Sequence, residues 1–216
     1  MRPNSGFRAT AQGCAALEFR RSPSVAPQLI KALDEIIEHS LRQLANDTHV
    51  SNWRAKERDW VNYFAHRYLI THCAPDGPLK EPARIGIEVA VPQPPGYIKP
   101  GVSRDLVIWK SCGDTCFDDD RVPRRRPLAI LECKVHRPKH RNVKVGNERE
   151  WLRNYCTWQP SVVSYAVEVD GTRVPGQLVC SRFLGTAEDD HWLELSLEAS
   201  PSNSSSCARI EACRST

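Results

Sequence analysis

Two short apolar runs, at residues 106–109 and 128–131, constrain the fold of this chain more than any other feature. Runs of this length between turn-forming segments are typical of buried β-strands. Asp105 stands before the first run, and the second is closed by Glu132 and, two positions on, Lys134. Side chains two apart in a strand share one face, so the glutamate and the lysine are expected to point the same way. Charged groups at the end of a buried strand are costly unless they are paired or bind something, and a carboxylate from a neighbouring strand would complete a small pocket for a metal cation.

Hydrophobic periodicity in the rest of the chain predicts three helices and six strands. Apolar residues at intervals of three and four are typical of helices, and strict alternation is typical of strands. The helices are expected at residues 27–44, 51–71 and 147–158. The strands are expected at residues 84–91, from 105, from 128, and at 162–169, 177–183 and 191–197. The turn-forming residues 46–48 are expected to end the first helix.

The order of these elements predicts an α/β fold with a mixed central sheet flanked by helices. Short links favour antiparallel pairing of the first three strands, and the helix before the fourth strand allows a parallel crossover. A chain of 216 residues fits one domain, expected at residues 26–198. Residues 1–25 are expected to form a flexible N-terminal arm, and the Ser-rich residues 199–216 a disordered tail.

Composition favours a cytoplasmic protein that is not embedded in a membrane. No apolar run approaches the roughly 20 residues that a membrane span needs, and no secretory signal is visible. The nine cysteines show neither a paired CxxC pattern nor a Cys/His zinc pattern. We therefore expect reduced thiols that are mostly buried.

Positive charge is concentrated in one part of the chain. Residues 121–144 contain nine Lys or Arg residues against a single acidic residue, Glu132. Such a density suits a polyanion such as nucleic acid. The alternative is a basic loop that is merely solvated.

The charged residues around the apolar runs are those that a magnesium-dependent hydrolase needs. Mg²⁺ prefers hard oxygen ligands and usually takes one or two carboxylates. Asp105 and Glu132 would supply them, and the backbone carbonyl of Cys133 would add a third oxygen. Lys134 would lie beside the water on the metal, where its charge favours the formation of hydroxide and stabilises charge on a phosphate. Burial and the metal would lower the pKa of this lysine. This combination hydrolyses phosphodiesters.

Asp105 followed by Glu132-Cys133-Lys134, in the order helix–strand–strand–strand–helix–strand, resembles the PD-(D/E)XK nuclease superfamily, which has the restriction-endonuclease-like fold. The resemblance covers roughly residues 51–169. It implies that Asp105 and Glu132 bind the metal and that Lys134 is the catalytic lysine.

The same resemblance assigns further residues and shows departures. Glu57, on the preceding helix, matches an acidic residue that many members place there, although Glu88 is a rival for this role. Gln159 and Tyr155 are candidates for the Gln or Tyr that members often carry on the helix after the lysine strand. Arg104 stands where the name-giving proline would be, and 26 residues separate Asp105 from Glu132, which is a long link.

We therefore expect a nuclease that uses Mg²⁺ or Mn²⁺ to activate water and that acts on DNA, with a homodimer as a reasonable state for cutting both strands. The residues expected to contact nucleic acid are Arg137, Lys139, Arg141, Lys144 and Gln159.

Four alternatives stay open. The chain can be a non-catalytic nucleic-acid-binding member of the same fold, or a cysteine-based interaction or redox protein. The charged cluster can also be only an ion pair in a mixed-sheet protein. Glu57 can lie at the edge of its helix face and pair with an arginine such as Arg54 or Arg67.

Overall fold

The computed structural model describes residues 27–51, 56–115, 126–136, 146–172 and 175–197. The expected N-terminal arm at residues 1–25 and the expected Ser-rich tail at residues 199–216 lie outside the described residues.

Three α-helices are present among the described residues. They are α1 (Pro27–Ser51), α2 (Glu57–Tyr63) and α3 (Gly146–Trp158). The helical path of α2 continues through a π-helical segment, Phe64–Tyr68, and a 3₁₀ segment, Leu69–His72. The single helix expected at residues 51–71 is therefore a helix that changes type along its length.

Helix α1 is longer than expected, and the prediction that residues 46–48 end it was wrong. The Thr48 hydroxyl donates hydrogen bonds to the carbonyl oxygens of Leu44, at 2.7 Å, and Ala45, at 3.0 Å. The Tyr68 hydroxyl donates to Asp47 Oδ2 at 2.7 Å. Because these polar side chains find partners while the backbone stays helical, they do not compete with the helix as they would in a turn.

Six strands form one sheet in the order β1 to β6. Their bounds are β1 (Ile85–Pro92), β2 (Gly101–Ile108), β3 (Ala129–His136), β4 (Val163–Asp170), β5 (Gln177–Leu184) and β6 (Ala187–Ser196). Strands β3 and β4 are parallel, and every other neighbouring pair is antiparallel. The expected mixed sheet, with three antiparallel strands followed by a parallel crossover through α3, is confirmed.

The helices cover both faces of the sheet. Helices α1 and α2 pack on one face, where Leu41 and Trp60 share a core with Leu106 and Leu131. Helix α3 packs on the other face. Asp105 lies on β2 and Glu132 and Lys134 lie on β3, two strands of the sheet between these helical layers.

Candidate active site

Asp105 lies in the middle of β2 rather than at its head, because the strand begins four residues earlier, at Gly101. The registered pairs of β2 and β3 run from Ile108↔Ala129 to Leu106↔Leu131. Next along the strand, the Asp105 carboxylate bridges to β3, where its Oδ2 accepts a hydrogen bond from the Cys133 amide at 2.8 Å. The side chain therefore takes the place of a backbone partner, which fixes its position.

The backbone of β2 turns at Asp105. Arg104 stacks on Trp151 of α3, whereas Leu106, two residues on, belongs to the core under α1 and α2. These two residues would share one face in a regular strand. The opposing residue of β1, Glu88, has a φ of 52°. This distortion leaves Asp105 and Leu106 together on the wall of an open pocket under α2, which is lined mainly by apolar side chains.

Burial controls the charge of Asp105. Desolvation raises the pKa of this carboxyl group, the hydrogen bond from the Cys133 amide lowers it, and the nearby charge of Glu57 raises it again, so that the net shift is upward. Cys133 itself packs against the apolar core, and burial raises the pKa of its thiol well above the usual value. The thiol is therefore neutral at physiological pH.

Glu132 is a buried carboxylate, with 5% of the residue exposed. Its Oε1 accepts a hydrogen bond from Arg104 Nη1 at 2.9 Å. Burial raises the pKa of Glu132 to about 7, although the charge of Arg104 opposes this shift. The positive charge of Arg104 therefore offsets only part of the cost of burying the Glu132 carboxylate.

Lys134 joins the two helical layers. Its Nζ lies 2.9 Å from Glu57 Oε1 on α2 and 3.4 Å from Glu148 Oε1 on α3. Burial lowers the pKa of this lysine, but the hydrogen bond and charge of Glu57, with the charge of Glu148, raise it by more. The pKa of Lys134 is thus raised, contrary to the expected decrease, and the group stays an ammonium.

Glu57, and not its rival Glu88, belongs to this cluster. Glu88 pairs instead with Arg58 at 3.2 Å, and both of those side chains are exposed. The alternative in which Glu57 pairs only with an arginine is also excluded by its contact with Lys134.

The cluster carries more negative than positive charge. Its carboxylates are Asp105, Glu132, Glu57 and Glu148, and its cations are Arg104 and Lys134. When all are ionised, two negative charges remain. One oxygen, Glu148 Oε2, is buried and makes no hydrogen bond within the described part of the chain. The donor chemistry and the charge therefore fit a divalent cation.

The arrangement of the carboxylates is nevertheless not a ready-made metal site. Among the described residues, no group of three His, Cys, Asp or Glu side chains is placed to hold a metal ion. Two of the carboxylates are paired with cations instead, Glu132 with Arg104 and Glu57 with Lys134.

Gln159 lies away from the cluster. It is 4% exposed, and its Oε1 accepts a hydrogen bond from Arg126 Nη1. It follows the end of α3, and at 1.5 Å per residue it is about 16 Å along that helix from Glu148. The structure therefore argues against the expected contact between Gln159 and a phosphate at the cluster. Tyr155 is likewise fully buried, in the core under α3.

The other expected nucleic-acid contacts, Arg137, Lys139, Arg141 and Lys144, lie outside the described residues. The described residues nearest to them in the chain, His136 and Gly146, end β3 and begin α3. His136 lies 3.8 Å from Glu168 on the neighbouring strand.

Sequence reasoning missed the contribution of α3. Glu148 lies in the first turn of that helix. The Arg104 guanidinium stacks on the Trp151 ring, with Arg104 Cζ 3.5 Å from the ring centroid. The only signal in the sequence was the position of the acid at a helix start, which is common for reasons of helix stability alone.

The cysteines give no support to a redox site within the described part of the chain. Five of them are free thiols, namely Cys73, Cys112, Cys133, Cys156 and Cys180. Cys156 and Cys180 are fully buried. Burial raises the pKa of the Cys156 thiol to about 11, so that it is unreactive.

Comparison with profiles of known protein families, with curated proteins and with solved structures found no match. The fold and site define a mixed α/β protein with a six-stranded sheet and a buried carboxylate–lysine cluster across β2 and β3. None of the described helices is both long enough and apolar enough to cross a bilayer.

Proposed function

We propose that the protein is a metal-dependent nuclease with a restriction-endonuclease-like fold, related to the PD-(D/E)XK superfamily, and that its substrate is DNA. The observation that carries this proposal is that Asp105 on β2, Glu132 and Lys134 on β3, and Glu57 on α2 belong to one cluster. The contacts that hold the cluster join residues far apart in sequence: Arg104 with Glu132 and Asp105 with Cys133 across 28 positions, and Glu57 with Lys134 across 77. The order helix, three strands, helix, strand supports the same assignment.

Asp105 and Glu132, with the backbone carbonyl of Cys133, would hold Mg²⁺ or Mn²⁺. A bound divalent cation supplies Lewis-acid polarisation of a phosphate and lowers the pKa of a coordinated water. The Cys133 amide keeps Asp105 in place through its 2.8 Å hydrogen bond.

Lys134 acts as an ammonium throughout the reaction. Glu57 and Glu148 raise its pKa, which favours the ammonium, and in this form the residue would donate hydrogen bonds to the attacking water or to a phosphate oxygen. Glu57 and Glu148 position the ammonium from the two helices.

The location of the basic segment supports nucleic acid as the substrate. Residues 137–144 are rich in Lys and Arg and connect the end of β3, which carries Lys134, to the start of α3, which carries Glu148. Phosphate contacts of this kind position a nucleic acid without reading its sequence. We further propose a cytoplasmic location, in line with the free thiols, and a homodimer for double-strand cleavage.

The proposal is tested with end-labelled DNA and RNA oligonucleotides, single-stranded and double-stranded, in Mg²⁺, Mn²⁺ and EDTA. The wild type should cleave DNA only with metal, and Lys134→Met should lose at least about 100-fold in rate, as is typical when a group stabilising the transition state is removed. Lys110→Met is the matched control, because Lys110 is exposed and lies beyond the C-terminal end of β2 at Ile108. Equal cleavage by the wild type and Lys134→Met would mean that another protein is responsible.

A second candidate is a nucleic-acid-binding protein of the same fold that does not cleave. The ion pairs of Glu132 with Arg104 and of Glu57 with Lys134 favour it, since each of these carboxylates already has a cationic partner within the protein. DNA binding without metal binding or cleavage would establish this alternative.

A further inference from the structure

Arg104 is a buried cation in the middle of the cluster. The residue is 8% exposed, and it lies next to Asp105 in β2. Its Nη1 is 2.9 Å from Glu132 Oε1, and the side chains of this pair are 9% and 6% exposed. A buried pair of this kind makes each charged partner costly to leave alone, so a group that displaces the arginine must itself compensate the charge of Glu132.

The guanidinium has a second support that does not depend on Glu132. Its Cζ lies 3.5 Å from the centroid of the Trp151 ring, which is an attractive arrangement for a cation. Trp151 is itself fixed, since its Nε1 donates a hydrogen bond to Gln93 Oε1 at 3.1 Å and its ring stacks on Tyr155 at 4.8 Å. The arginine can therefore release the carboxylate and remain on the indole.

The hydrogen bonding of Arg104 is also incomplete. Its Nε is buried and has no hydrogen-bond partner within the described residues. An unsatisfied buried donor is unfavourable, and Arg104 therefore does not use all of its donors while it is paired with Glu132. This matches a residue that exchanges between two arrangements better than one with a purely structural role.

We propose that Arg104 is an internal cation that holds Glu132 when no divalent metal is bound, and that metal binding requires Glu132 to leave Arg104. This inference rests on the proposed function, because it assumes that Asp105 and Glu132 take the metal. It adds that the arginine sets the metal affinity of the site. The wild type then binds Mg²⁺ more weakly than its carboxylates alone would, because the metal competes with a cation that is part of the protein.

The test is titration of the metal-free protein with Mg²⁺ by calorimetry, with no nucleic acid present. Arg104→Met should bind Mg²⁺ about tenfold more tightly than the wild type, since breaking a hydrogen bond between charged groups no longer opposes binding. It should also have a lower melting temperature without metal and a larger increase on adding Mg²⁺. Arg84→Met is the matched control, because Arg84 is equally buried but binds the carbonyl oxygen of Trp109 and not a carboxylate.

The outcomes separate the inference from the proposed function. If the wild type binds Mg²⁺ and Arg104→Met binds it equally or more weakly, the inference is wrong and the proposed metal site stands. If only Arg104→Met binds, the inference is supported. If neither protein binds, both proposals are overturned. If Arg104→Met does not fold, Arg104→Lys serves instead. This variant should bind Mg²⁺ a few-fold more tightly than the wild type, because lysine lacks the planar guanidinium that stacks on Trp151 and pairs with Glu132 at the same time. Unchanged or weaker binding would refute the inference.

Discussion

The contact between Lys134 and Glu57 predicts a measurable coupling between β3 and α2. The two charged atoms are 2.9 Å apart, and the side chains are 14% and 36% exposed. Removing one partner of a fully buried pair costs about 3–5 kcal/mol, whereas exposed pairs contribute about 0–1 kcal/mol. Since water reaches Glu57 but hardly reaches Lys134, we expect Lys134→Met to lower the free energy of unfolding by about 2 kcal/mol, between these limits.

Substitution of Glu57 should lower the free energy of unfolding by less than substitution of Lys134. In Glu57→Gln the ammonium keeps Glu148, 3.4 Å away, and the amide oxygen can still accept a hydrogen bond. We therefore expect a loss of about 1 kcal/mol, and a double variant that loses about 1 kcal/mol less than the sum of the two single losses.

The assay is urea unfolding in EDTA at pH 7.5, followed by tryptophan fluorescence and circular dichroism. Glu88→Gln is the control and should change the free energy of unfolding by less than about 0.5 kcal/mol, because Glu88 and its partner Arg58 are exposed. Additive losses in the Lys134 and Glu57 variants, within about 0.3 kcal/mol, would refute the placement of these two residues against each other.

Three further predictions concern the site and the fold. Mg²⁺ binding should release nearly one proton per protein at pH 6 and almost none at pH 8, and the affinity should rise between these values, because burial raises the pKa of Glu132 to about 7 and its proton must leave. Calorimetry in two buffers of different ionisation enthalpy measures this release, and equal release at both pH values would contradict the prediction. Alkylation followed by peptide mapping should modify Cys112, which is exposed, long before Cys156, and early modification of Cys156 in the native protein would contradict its burial. Gly86→Ala should lower the free energy of unfolding by about 1–3 kcal/mol, because the new Cβ would lie 2.6 Å from Val89 Cγ2; a thermal melt like that of the wild type would disprove this clash.

The sheet was predictable because its signals are local. Alternating and continuous apolar runs located the strands, and short links with one intervening helix gave the antiparallel and parallel pairings now observed. The extension of α1 through residues 46–48 was not visible in the local pattern, and the partner of Asp47 there is Tyr68, 21 residues away.

Only part of the cluster was predictable from the sequence, and its pairings were not. Asp105, Glu132 and Lys134 were predicted to lie together because of their positions on neighbouring strands. The distortion of β2 at Asp105 was not predicted: it places Arg104 and Leu106 on opposite faces of the sheet, against the alternation expected of a regular strand. Whether Glu57 or Glu88 completes the cluster depends on how α2 packs over the sheet. The part played by Glu148 and Trp151 depends on where α3 begins. The packing of α2 and the start of α3 are not encoded in a local sequence pattern.

Nicking of supercoiled plasmid by the wild type and by Asp105→Asn, with Mg²⁺ and with EDTA, tests the central claim most directly. Because the Asp105 carboxylate is fixed against β3 and would be a metal ligand, we expect wild-type nicking in Mg²⁺ that EDTA abolishes and that the variant lacks. Nicking by Asp105→Asn at the wild-type rate, or by the wild type in EDTA, would show that this cluster is not a metal-dependent nuclease site.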